Sequence, residues 1–179
     1  MGGAFKSIVV MHSQLKQKEE QTMSITLSEM EAARVAWGDA LIAISKAYEA
    51  QGIDTARTLA EEVLDTSYGY NLGPVLFKPT LSGGKQTFRT TKIGALSYFV
   101  GHNDTYPDDS GFGIKGWRTV TSETAASFIE GDVGIWMGNV HCTNKDGLVT
   151  TVDKTFGYKK DADGTVRIVL HHSSLPYQK

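Results

Sequence analysis

Residues 117–173 read WRTVTSETAASFI-EGD-VGIWMGNVHCT-NKDG-LVTTVDKTFGYK-KDADG-TVRIVLHHS, four strand-like runs cut by three turns. The runs Trp117–Ile129, Val133–Thr143, Leu148–Lys159 and Thr165–Ser173 are rich in β-branched and aromatic residues, which pack well on a pleated surface. Between them stand Glu130-Gly131-Asp132, Asn144-Lys145-Asp146-Gly147 and Asp161-Ala162-Asp163-Gly164. These are hairpin turn residues, so the segment reads as an antiparallel meander.

The last strand runs into Ile168-Val169-Leu170-His171-His172-Ser173-Ser174-Leu175-Pro176-Tyr177, the stretch richest in reactive groups. Side chains alternate faces along a strand, so His171 and Ser173 share one face while His172 and Ser174 share the other. Pro176 cannot donate to a ladder, and pairing is expected to stop near it. One of these pairs then lines a pocket at the sheet's rim. The bland alternative is that the rings and hydroxyls only satisfy a sheet edge.

Upstream of the meander the period changes to that of helices. Ser28 followed by Glu31 has capping-box spacing. Ala33, Trp37, Ala40, Leu41, Ile44 and Tyr48 then form one apolar stripe down to a stop at Gly52. Asp54 can cap a second, shorter helix through Leu59, Ala60 and Val63 that ends before Tyr68-Gly69-Tyr70. Val75-Leu76-Phe77 reads as a short buried strand with Thr80 at its end. Thr90 or Thr91 can cap a third helix, with Ile93, Leu96 and Val100 on its apolar side, Tyr98 upon it and Gly101 as its stop. Residues 102–116, rich in Asp, Pro and Gly, read as an ordered surface loop. Helices first and strands afterwards make an α+β layout, a curved sheet packed on one long helix.

At 179 residues the chain is expected to be a single domain over 27–179, with a flexible arm over 1–26. Eighteen basic against twenty acidic residues give a net charge of -2, no electrostatic reason to bind nucleic acid or an anionic membrane. The one cysteine, Cys142, excludes an intrachain disulfide and fits a reducing cytoplasm. The run Ile8-Val9-Val10-Met11 is too short for a secretory or membrane-spanning segment, Lys6 stands where lipidation wants a hydroxyl, and Met23 offers an alternative start.

Motifs that suggest other chemistry lack their context. Gly111-Phe112-Gly113-Ile114-Lys115-Gly116 has dinucleotide-loop spacing, but a Pro-Asp-Asp loop precedes it and strand residues follow. Asp104, Asp108 and Asp109, and Asp161-x-Asp163-Gly164, lack the ligand ladder of a calcium loop. His12, His102, His141, His171 and His172 show neither HxH nor HExxH spacing, and adjacent strand histidines cannot chelate one ion together.

Leu76-Phe77-Lys78-Pro79-Thr80, Phe88-Arg89-x-Thr91, Ala95-Leu96-Ser97-Tyr98-Phe99-Val100-Gly101, Asp109-x-Gly111-Phe112, Met137-Gly138-Asn139 and His171-His172-Ser173-Ser174-x-Pro176 together resemble the iota-class carbonic anhydrases, and their metal-free cyanobacterial and algal branch most. The resemblance spans about residues 30–177. It implies an NTF2-like cone, related to the calmodulin-dependent kinase II association domain, and a homodimer. It also implies reversible hydration of carbon dioxide to bicarbonate with no metal and no cofactor. The implied site residues are Thr80, Tyr98, His171 and Ser173, all present here. The expected partners are carbon dioxide, bicarbonate and water. Two alternatives remain at this point: a non-catalytic cone-fold binding or association module, and an isomerase or hydrolase with a deep apolar cavity for a larger substrate.

Overall fold

The computed structural model of the chain describes residues 24–178. Its elements are α1 (Leu27–Gln51), α2 (Ile53–Ser67), β1 (Leu76–Lys78), α3 (Lys92–Val100), β2 (Trp117–Glu130), β3 (Val133–Asn144), β4 (Val149–Lys160) and β5 (Val166–Ser174). The strands form one sheet in the order β1-β5-β4-β3-β2. β2 to β5 are the expected antiparallel meander, and β1 adds to its edge parallel to β5. Register shifts mark bulges at Ala125 in β2, between Thr124 and Ala126, and at Val169 in β5, opposite Gly157 and Tyr158 of β4, and bulges bend and twist the strands that carry them. The sheet thereby curves around the helices.

The cap of α1 lies two residues before the expected one. Thr26, not Ser28, is the N-cap: its side chain accepts from Glu29 N–H, and the Glu29 carboxylate accepts from Thr26 N–H at 2.9 Å. The same Thr-x-x-Glu pattern had a competing register, and burial selects it. Ile25 before the cap and Met30 after it both enter the core, the arrangement of a hydrophobic staple. The arm expected over 1–26 otherwise lies outside the described residues, and Ile25 N–H donates to Gly131 O at 2.9 Å.

The apolar stripe of α1 buries Trp37, Leu41 and Ile44. Each such side chain contributes about 1.5–3 kcal/mol on leaving water. Gly38 belongs to this face because a Cβ there would stand 3.0 Å from Val120 Cγ1, so the helix lies directly on β2. Gly52, with φ of 83°, ends α1 and serves as N-cap of α2. Asp54, expected as that cap, falls in the helix's first turn and makes no capping bond. The turn at Gly52 is too tight to leave Asp54 outside the helix.

α3 runs from its Thr91 cap to Gly101 as expected, but the face it buries is different. Ile93 is 65% exposed, while Ala95, Ser97, Tyr98, Phe99 and Val100 are buried. The helix is short and covered on two sides, so a single stripe does not describe it. Loop 102–116 tucks inward at the 3-10 turn Phe112–Ile114, where Phe112 is buried.

Candidate active site

The parallel pairing of β1 with β5 sets Phe77 beside His171 and Lys78 beside His172. Pro79 has no N–H to continue the ladder, and the chain turns so that Thr80 Oγ1 donates to Ser173 Oγ at 2.6 Å. Lys78 Nζ donates to the Ser173 carbonyl at 2.9 Å and ties the two strand ends together. The parity argument holds: His171 and Ser173 are 2% and 1% exposed, whereas His172 is exposed.

α3 supplies the third hydroxyl. The Tyr98 ring meets Phe77 edge-on at 5.6 Å between centroids and stacks on Phe112, also at 5.6 Å. Burial pushes the Tyr98 phenol well up, an effect only partly offset by the nearby Leu81 and Thr80. It therefore stays protonated and able to donate at neutral pH. Yet this buried hydroxyl has no hydrogen-bond partner of acceptable geometry. A buried donor without an acceptor costs about 1–3 kcal/mol, and it marks a place where a ligand oxygen fits.

A buried clamp holds α3 in position. Ser97 Oγ donates to Asp109 Oδ2 at 2.7 Å, and Arg89 Nη2 pairs with Asp109 Oδ1 at 2.8 Å. The clamp joins Tyr98's neighbour to the loop that provides Phe112.

His171 lies beside these groups but does not bond to them. Its ring stacks on Phe77 at 4.3 Å, and Phe77 in turn meets the Tyr98 ring. Nδ1 is 2.9 Å from the Tyr68 hydroxyl, which accepts from Trp37 Nε1–H at 3.0 Å. Nε2 is 3.0 Å from Lys154 Nζ. Burial, with Lys154 next in effect, holds the imidazole well below its ordinary range, so His171 is neutral at pH 7.

The other histidines are dispersed. His102 follows α3, His141 is on β3 with Nδ1 2.9 Å from Thr151 Oγ1, and His12 lies outside the described residues. Among the described residues no three His, Cys, Asp or Glu side chains converge to hold a metal ion. Cys142 is a fully buried strand residue.

Thr80, Tyr98 and Ser173 are thus drawn together, and His171 backs them through Phe77 and β5. Lys154, Tyr68 and Trp37 went unnoticed as site residues in the sequence. Lys154 had a signal: it interrupts the inward period-2 run Val152, Phe156, Tyr158 with a charge. Tyr68 and Trp37 had none beyond aromaticity.

The profile of the protein family described as metal-independent carbonic anhydrase matches residues 28–175. The chain belongs to that family. It is 54% identical over 156 residues to a metal-independent carbonic anhydrase of Nostoc sp., covering 87% of this chain and 76% of the relative. The crystal structure of an iota-carbonic anhydrase from a cyanobacterium, complexed with bicarbonate, superposes with a TM-score of 0.87 at 54% identity, covering 88% of this chain and 96% of that one. A protein from Xanthomonas campestris described as a calcium/calmodulin-dependent protein kinase II association domain shares the fold at 19% identity, with a TM-score of 0.54 over 87% of this chain and 91% of that one. The chain is thus an iota-class, metal-independent carbonic anhydrase with an α+β fold that the association domain shares.

Proposed function

We propose that the protein hydrates carbon dioxide reversibly to bicarbonate in the pocket where Thr80, Ser173 and Tyr98 meet, with no metal cofactor. The observation that carries this reading is the buried Tyr98 hydroxyl, which lies close to Thr80 of the Thr80–Ser173 pair yet makes no well-aligned hydrogen bond. The cyanobacterial relative complexed with bicarbonate supports the substrate.

Zinc carbonic anhydrases obtain a nucleophile by lowering the pKa of bound water from about 15.7 to about 7. Here orientation and fixed donors have to lower the barrier instead. The Thr80 O–H donates a hydrogen bond to Ser173 Oγ, which leaves the Ser173 O–H free to donate and the Thr80 lone pairs free to accept from water. The water oxygen attacks the carbon, one C=O electron pair moves onto oxygen, and Tyr98 and Ser173 donate to that developing charge. The attacking water loses its proton to bulk water or buffer on the solvent side of half-buried Thr80, so that carbon dioxide and water give bicarbonate and a solvated proton. Phe77 and Phe112 keep bulk water from the pocket. His171, with both nitrogens committed elsewhere, orients the β5 end.

The larger-substrate alternative wants a deep apolar cavity, and the one inside the core, lined by Trp37, Leu41, Ala60, Val63 and Phe99, holds about 10 Å³, roughly one water molecule. The larger clefts, such as that of about 330 Å³ beside Met137, Asn139 and His172, carry polar groups. A homodimer is part of the proposal, because Phe128, Ile135 and Met137 lie exposed on the outer face of β2 and β3. No helix among the described residues is long and apolar enough to cross a membrane; a cytoplasmic setting is part of the proposal on the separate ground of the lone cysteine, Cys142.

Replacement of Thr80, Tyr98 and Ser173, one at a time, tests the pocket by stopped-flow hydration assays. Each variant is expected to fold and to lose turnover. Full activity in all three moves the site elsewhere, and an inactive wild-type dimer favours the non-catalytic module.

A further inference from the structure

Lys154 is 4% exposed, and no carboxylate lies within ion-pair distance of its Nζ among the described residues. His171 faces it from β5 at 3.0 Å, the Trp37 ring from α1 at 3.9 Å, and Phe156 from its own strand at 5.1 Å. Cys142 on β3 is the other titratable neighbour, and Tyr68 stands behind His171. An ammonium desolvated among such groups has no anion to compensate it.

The hydrogen bonds of the chain Trp37–Tyr68–His171–Lys154 can be counted for each charge state. An ammonium has only donors, so His171 Nε2 must accept and Nδ1–H must donate to Tyr68. Tyr68 oxygen then accepts from both Trp37 and His171, and its own O–H is left without an acceptor. A free amine has a lone pair. It accepts from His171 Nε2–H, Nδ1 accepts from Tyr68 O–H, and Tyr68 oxygen accepts from Trp37 Nε1–H. This second arrangement leaves neither His171 nor Tyr68 with an unused donor.

The chain also abuts the hydroxyl pocket. Lys154 and Ser173 are direct partners across β4 and β5, next to the Phe156–His171 pair on the same inward face. Directly opposed inward side chains have Cβ atoms about 4.5–5.5 Å apart.

We propose that Lys154 acts as an uncharged amine that positions the site: it accepts the Nε2–H of His171, fixes the tautomer that Tyr68 and Trp37 complete, and so holds the β5 end that presents Ser173. This rests on the carbon dioxide reading above. Protonating Lys154 reverses the His171 bonds, orphans the Tyr68 proton and loosens β5 beside Ser173, so turnover falls on the acid side. Burial lowers the Lys154 ammonium to about 7, so the amine is mostly neutral only above that pH.

The full-length wild-type protein gives the first test, by 15N NMR of His171 and of the Lys154 amine between pH 6 and 9. The expected result is an Nε2–H imidazole at high pH that switches to Nδ1–H as Lys154 gains its proton. A Lys154 still charged at pH 9, or a tautomer that ignores its titration, overturns the proposal whether or not any variant folds. Activity gives the second test. Lys154→Met is expected to lower kcat about tenfold to a hundredfold, the scale of a misplaced group, with KM nearly unchanged and the acid limb of the pH profile lost. Lys154→Gln, whose carbonyl can accept from Nε2–H, is expected to recover part of kcat. Wild-type kcat and pH profile in Lys154→Met overturn the proposal. A wild-type protein with no hydration activity sinks the carbon dioxide reading alone, since the NMR titration still decides the Lys154 chain.

Discussion

A phenol buried without an acceptor loses no structural bond when its oxygen is deleted. Tyr98→Phe is therefore expected to keep or raise Tm, because the orphaned hydroxyl of the wild type is removed. Turnover should fall about 10²–10³-fold, the usual effect of removing one donor to a developing oxyanion. Calorimetry and stopped-flow assays on one preparation check both halves. Lys154 gives a pH-dependent prediction. Its ammonium sits at about 7 in the fold and near 10.4, roughly, in an unfolded chain. Between those values the unfolded chain binds a proton that the native state does not, so native stability rises with pH. Lys154→Met should exceed the wild type in Tm most at pH 7 and below, with the gap narrowing toward pH 10. A gap that is constant with pH would show that Lys154 is not neutralised by burial. At this scale the family resemblance alone named Thr80 and Tyr98 as candidates, while strand parity also set His171 and Ser173 on one face, and both are buried. The hydrogen bonds of His171 were not legible, because they depend on which residues of α1, β4 and the α2–β1 link reach one ring.

Elements show where local pattern suffices and where packing decides. The four meander strands fall within a residue or two of their expected bounds, since turn residues punctuate a period-2 pattern on both sides. The N-terminus of α1 shifted by two residues, because Thr26–Glu29 and Ser28–Glu31 both satisfy the capping rule and only burial of Ile25 separates them. Thr26→Ala should accordingly cost about 1 kcal/mol, whereas Ser28→Ala should cost almost nothing, as urea midpoints would show. Gly138 presents a sharper case. A Cβ there would run into the Glu123 carbonyl, next to the bulge that bends β2. Gly138→Ala is expected to lose about 1–3 kcal/mol, the range for overpacking, measured by denaturant unfolding. An unchanged midpoint would mean that the bulge yields.

For the whole molecule, the α+β arrangement was legible from the order of periodicities, helical before residue 101 and alternating after 116. The parallel docking of β1 on β5 was not, since a three-residue strand carries too little pattern to name its partner. That docking nevertheless builds the proposed pocket, because it delivers Thr80 to Ser173. If a second copy covers the outer face, Met137→Glu should yield a monomer in sedimentation while the inward pocket keeps its geometry; a dimer of unchanged stability would place the interface elsewhere. The most direct measurement is carbon dioxide hydration by the full chain after metal stripping, assayed in excess chelator. Turnover equal to that of untreated protein is predicted. Activity that disappears on stripping and returns with one particular metal would contradict the hydroxyl-pocket account.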